Sequence, residues 1–200
     1  MNQAVVEMID AVFDISGETL PGSYPFALWH ALTQRVPEIE ANDLVGVLPL
    51  RTSASAGGML LPKRAKLVVR LPAHFTDHVG RLEGQPLAVG DITLRLGTIK
   101  LRAIQPYPTL HAHLVTGHAD EATFMQHVAT RLGELGILGK LICGMRHRLD
   151  APDRTIHGYS LVVHDLKPDA SLRLQYTGLG ADRRYGCGIF VPYKAITDLD

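Results

Sequence analysis

One order of elements can be written twice along this 200-residue chain, once on each side of Gln105-Pro106-Tyr107-Pro108. Proline-rich steps of that kind punctuate a chain between folding units. Ahead of it, residues 5–15 are β-branched, partly alternating, and end at Ser16-Gly17, which predicts a strand. A helix is predicted to open at Pro25, since proline suits the first helical turn, and to stop ahead of Pro37. Strands are predicted at 45–51 and 66–71, with 52–58 (TSASAGG) as a small-residue loop between them. A short helix over 73–82 and a turn-rich stretch with Gly84, Pro86 and Gly90 lead to two alternating strands, 92–96 and 98–104.

After the proline step the order begins again. Residues 109–115 alternate as a strand, and Asp120 is placed to start a long helix reaching residue 135. Residues 141–148 and 156–164 read as a hairpin around Asp150-Ala151-Pro152-Asp153, 167–176 as a helix, and 189–193 as a final strand. Each half is therefore β-α-β-β-α-β, the ferredoxin-like unit that many RNA-binding modules use. The expected fold is α+β, with tandem ferredoxin-like (RRM-like) domains over 1–105 and 109–200 and a glycine-rich loop near the C-terminus.

Composition narrows the function classes. The chain is 46% hydrophobic and 20% charged, as ordinary globular proteins are. It has no run of eighteen apolar residues to span a membrane. Its first fourteen residues carry three acids and no base, unlike a secretory signal, and two cysteines suit a reducing cytoplasm. A formal net charge of zero conceals an asymmetry: residues 1–62 hold two bases against seven acids, and 63–105 hold eight against three. That permits a local polyanion site without requiring one.

The most specific feature is Gly178-Leu179-Gly180-Ala181-Asp182-Arg183-Arg184-Tyr185-Gly186-Cys187-Gly188, followed by Ile189-Phe190-Val191-Pro192. Paired glycines allow positive φ and close approach of another backbone. Loop N–H groups can form an anion-binding concavity, and Arg183 and Arg184 add bidentate phosphate donors. No Lys-Ser/Thr ends the loop, and it passes from a helix into a strand, so it is neither a Walker loop nor a dinucleotide fingerprint.

Gly178–Gly188 resembles the glycine-rich loop of the RAMP superfamily: Gly-apolar-Gly, five residues including a base, then Gly-apolar-Gly. The Gly-Ile-Phe-Val-Pro ending resembles the CRISPR repeat-processing endoribonucleases of type I and type IV systems, the sixth Cas protein family. That resemblance implies a tandem ferredoxin-like protein that binds the hairpin of a CRISPR repeat RNA, cuts precursor crRNA without a metal or other cofactor, and joins other effector-complex subunits. In such enzymes the RNA's own 2′-hydroxyl attacks the adjacent phosphate, leaving a 2′,3′-cyclic phosphate and a 5′-hydroxyl.

The resemblance places a catalytic histidine in or just before the first helix, where His30 stands. At about 100° per residue Leu28, Trp29, Leu32 and Val36 share one face and His30 points away from it. Tyr24 either orients the 2′-hydroxyl or packs at the helix start. Arg146, His147 and Arg148, with Arg154 across the hairpin, are candidates to follow the phosphates of an RNA stem, as are Gly178, Gly180, Arg183, Arg184, Gly186 and Gly188 of the loop. Lys63, Arg64 and Lys66 are either phosphate contacts or a solvated strand face, and Ser53 and Ser55 are weaker candidates to position the ribose. His111-x-His113 with His118 has a metal-like spacing but no cysteine or carboxylate companion, so strand histidines are the simpler reading. Cys187 between its glycines reads as a small apolar side chain.

Two other function classes compete with the enzyme. A RAMP-type subunit would hold guide RNA without cutting it and would be indifferent to the His30 imidazole. A ferredoxin-like enzyme of small metabolites would have a closed pocket and no use for the hairpin arginines.

Overall fold

The computed structural model describes residues 6–55, 58–151 and 153–193. Val5 of the first predicted strand, residues 56–57 of the small-residue loop, Pro152 of the predicted hairpin turn and the side chain of Ser55 lie outside the described part. The chain divides into two compact units, one of residues 1–104, 150–154 and 183–186, the other of the remainder.

The first unit runs β1 (Met8–Ser16), β2 (Thr19–Leu20), α1 (Tyr24–Arg35), β3 (Gly46–Val47), β4 (Ser53–Ser55), β5 (Gly58–Leu60), β6 (Lys66–Pro72), α2 (Thr76–Gly80), β7 (Pro86–Val89) and β8 (Ile92–Ala103). Its main sheet has the order β3-β6-β1-β8-β7, and β2, β5 and β4 form a small second sheet. Alternation in β1 sends Ala11, Phe13 and Ile15 to the core, where they meet Leu28 and Leu32 of α1 and Val79 of α2. Full burial of each large apolar side chain contributes about 1.5–3 kcal/mol.

The second unit runs β9 (Leu110–Thr116), α3 (Glu121–Glu134), β10 (Lys140–Asp150), β11 (Thr155–His164), α4 (Pro168–Thr177) and β12 (Val191–Pro192). Asp120 caps α3 by accepting the N–H groups of Ala122 and Thr123. The sheet order is β10-β11-β9-β12, over a core of Leu110, Phe124, Val128, Leu161, Leu174 and Phe190. Taking β1, β3, β6 and β8 as strands one to four of the first unit, and β9 to β12 as those of the second, both sheets read two-three-one-four. This is the tandem ferredoxin-like fold expected from the element order.

Five local readings change, one of them the predicted strand at 189–193, which shortens to β12. The predicted strand at 45–51 shrinks to β3, because Pro49 has no N–H to give a ladder. The small-residue segment pairs instead of looping, with Ser53 opposite Leu60 and Ala54 opposite Met59. The helix predicted over 73–82 is a 3-10 turn at Ala73–Phe75 followed by the short α2. The strands at 92–96 and 98–104 are one strand through Gly97, and β7 lies in the stretch read as turns. Opposite Gly97 the register of β1 shifts between Phe13 and Ile15, and a Cβ on Gly97 would come 3.1 Å from the Asp14 Cβ. The glycine marks a bulge and a close approach, not a strand end.

Candidate active site

Within the first unit, α1 carries His30 on its outer side and Trp29, Leu28 and Leu32 inward. The His30 ring is exposed, as the helical projection requires. One turn earlier on that face, the Phe26 ring meets Tyr185, with centroids 4.5 Å apart and planes at 50°. The Arg154 guanidinium lies 6.0 Å from the centre of the Tyr185 ring. Arg184 sits 5.8 Å from the centre of the Trp29 ring and 3.4 Å from Asp43. Two guanidinium groups thus lie over two aromatic faces beside the helix that holds the imidazole.

Tyr24 and Arg184 line one narrow niche with Pro25, Pro49 and Tyr185. The Tyr24 oxygen accepts the Leu50 N–H at 3.0 Å. Burial pushes its phenol above the ordinary range, the Leu50 bond opposing, so Tyr24 keeps its proton. It is a buried, engaged side chain, unlike the exposed His30.

Arg183 and Arg184 are neighbours in sequence with different surroundings. Arg183 is only 7% exposed, and its Nε donates to the Leu44 carbonyl at 2.9 Å. Burial, helped by the charge of Arg70 and opposed by Asp10, pulls its pKa down to about 9. Nearby, Arg70 donates to Asp10 at 2.7 and 3.1 Å, and Arg102 reaches the same carboxylate at 3.2 Å. Arg183 thus anchors its loop, and Arg184 is the one turned outward. In the basic run, Lys63 and Arg64 are exposed and Lys66 is paired with Asp14.

Glycines 178, 180, 186 and 188 all have positive φ, between 65° and 91°. At Gly188 a Cβ would run into the Leu179 carbonyl, so that position admits no side chain. The loop N–H groups do less for anions than the motif suggests. Those of Gly178, Leu179, Gly186, Cys187 and Gly188 donate to the carbonyls of Leu174, Gly188, Arg183, Asp182 and Leu114. These glycines spend their freedom on backbone packing.

The sequence profile described as Cas6 CRISPR matches residues 9–195. The chain is 32% identical over 186 residues to the CRISPR-associated endonuclease Cas6 of Myxococcus xanthus (strain DK1622), covering 92% of this chain and 81% of that protein. The chain belongs to the Cas6 family of CRISPR-associated endonucleases. Its fold is shared with a solved RAMP protein that binds different RNA substrates (TM-score 0.66, 10% identity, 92% and 98% of the chains). It is also shared with Thermus thermophilus Cse3 bound to an RNA representing a pre-cleavage complex (TM-score 0.55, 13% identity, 92% and 98%).

The second unit of this Cas6 chain holds the other predicted residues. Arg146 and Arg148 are exposed on β10, and His147 between them turns its ring to His113, 4.4 Å away. His118 pairs instead with His127. Among the described residues no three His, Cys, Asp or Glu side chains gather as a metal site, and no helix is long and apolar enough to cross a membrane. Cys187 is buried in the loop. Sequence reasoning passed over Tyr185, Phe26 and the Arg184–Trp29 contact. The aromatic residue inside the glycine motif is the one signal that could have drawn attention to Tyr185.

Proposed function

We propose that this Cas6 protein is a metal-independent endoribonuclease that binds the hairpin of a CRISPR repeat RNA and cuts precursor crRNA beside it. The observation that carries the reading is the exposed His30 imidazole, one turn from the Phe26–Tyr185 tier and its flanking arginines. The family's curated relative is an endonuclease, and solved proteins of this fold include RNA complexes. His30 acts as general base or acid. A base takes the 2′-hydroxyl proton, the 2′ oxygen forms its bond to phosphorus, and the bond to the 5′ oxygen breaks as that oxygen gains a proton. Arg184 and Arg154 steady the phosphorane charge. The products are a 2′,3′-cyclic phosphate and a 5′-hydroxyl, and the protein keeps the mature crRNA for its effector complex in the cytoplasm.

The nucleophile is internal to the RNA, so cleavage should survive excess EDTA. One 2′-deoxy substitution at the scissile nucleotide should abolish cutting with little change in binding. Cutting of the deoxy substrate would overturn the mechanism. If the natural repeat is bound tightly and never cut, the protein is a guide-RNA-binding subunit.

A further inference from the structure

The second unit contains an open cleft of about 450 Å³ that no step above uses. Its walls are the end of β9 at Thr116 with the following Gly117 and His118, one flank of α3 and the Leu179-Gly180 step of the glycine motif. The floor is apolar: Val115, Phe124, Val128 and Leu179 are each at most 5% exposed. The rim is of another kind. His118 and His127 are exposed, and their rings meet edge to face, centroids 4.4 Å apart and planes at 78°. Arg131 stands one turn beyond His127 on the same face of α3.

Glycines at two points of the wall keep it in place. A Cβ on Gly117 would come 2.5 Å from the Phe124 ring. At Gly180, φ is +74° and a Cβ would lie 2.9 Å from the Thr116 carbonyl. The Thr116 hydroxyl donates to Ala181 at 3.0 Å, tying the β9 end to the loop. Two of the acids nearby are already engaged. Asp120 caps α3, and Glu134 pairs with Arg131 at 2.7 Å, an exposed ion pair that costs little to exchange.

This volume falls in the range of small-ligand sites, and the apolar floor with a few polar groups at the edge is their usual anatomy. The groups select the ligand. Imidazole rings beside an apolar floor accept a flat aromatic ring, and a guanidinium one turn away suits a phosphate. A ring attached to a phosphate is a nucleotide. Bases in a duplex are stacked and paired, so only an unpaired one can enter a cleft. We infer that this cleft takes one unpaired nucleotide of the RNA flanking the repeat hairpin, its base between the two imidazoles and the floor, its phosphate on Arg131. The inference rests on the reading that the chain binds repeat RNA.

The test compares the full-length wild type with a His127→Ala/Arg131→Ala double variant. Both residues are exposed on a helix, where alanine is well tolerated. Two RNAs are titrated: the bare repeat hairpin, and the hairpin with its single-stranded flanks. The double variant should lose roughly 5- to 150-fold in affinity for the flanked RNA, the worth of one stacked base, and stay within about twofold on the bare hairpin. Flanked RNAs made abasic one position at a time should then show a similar loss at one position with the wild type and none further with the variant. That second arm needs no variant to fold. Equal losses on both RNAs, or no such abasic position, would overturn the cleft assignment while leaving RNA binding intact. Failure of the wild type to bind either RNA would instead overturn the RNA reading, and this inference with it.

Discussion

His30 is the side chain whose chemistry is most separable from folding. It is exposed on α1, so removing it opens no cavity. His30→Ala should keep the wild-type melting profile and bind the hairpin almost as tightly, because phosphate contacts dominate RNA affinity. Cleavage in single-turnover assays should fall roughly 10²–10⁴-fold, the worth of a positioned acid or base. A variant that cuts at the wild-type rate would remove His30 from the mechanism. Its exposure was legible beforehand because α1 has one apolar stripe and His30 is off it. The opposite fates of Arg183 and Arg184 were not legible. Arg183 is fixed by a carbonyl 139 positions away, and no local pattern announces such a partner.

Among the elements, β9 has a pH-dependent consequence. Burial lowers the pKa of His111, and burial together with the neighbouring charges of His147 and His111 lowers that of His113. On β9 and its neighbours the groups that face them are the His147 ring against His113 and the Tyr193 ring against His111. The unfolded chain, with imidazoles near their ordinary value of about 6.5, then binds more protons than the folded chain just below that pH. Stability is therefore present in full above about pH 6.5 and is lost as pH falls through the lowered folded values. Urea midpoints should drop between pH 7.5 and 5.5, and His113→Gln should flatten that dependence. Equal slopes in variant and wild type would refute it. Long, strongly patterned elements such as α1, α3, β1 and β11 were readable from periodicity. Short ones were not: β4 is three small residues, Ser-Ala-Ser, β5 is only Gly-Met-Leu, and β8 passes through a glycine that reads locally as a break.

The chain's formal net charge is zero, so it has no overall attraction for a polyanion. RNA affinity must come from a few local cations, and its salt dependence should count them. Two pairs are exposed or turned outward: Arg146 and Arg148 on β10 of the second unit, and Arg154 and Arg184 beside the aromatic tier of the first. Removing one cation from its phosphate should weaken binding and flatten the salt slope by about one. Arg146→Ala/Arg148→Ala should therefore lower affinity and reduce the slope by about two, with bound RNA still cut near the wild-type rate. Arg154→Ala/Arg184→Ala should also slow cutting of bound RNA at saturating protein, because these two cations flank the tier beside His30. The measurement is a titration at several salt concentrations, with single-turnover rates taken at saturation. If both double variants keep wild-type affinity and slope, the RNA is held elsewhere, and the exposed run Lys63-Arg64 becomes the surface to change next.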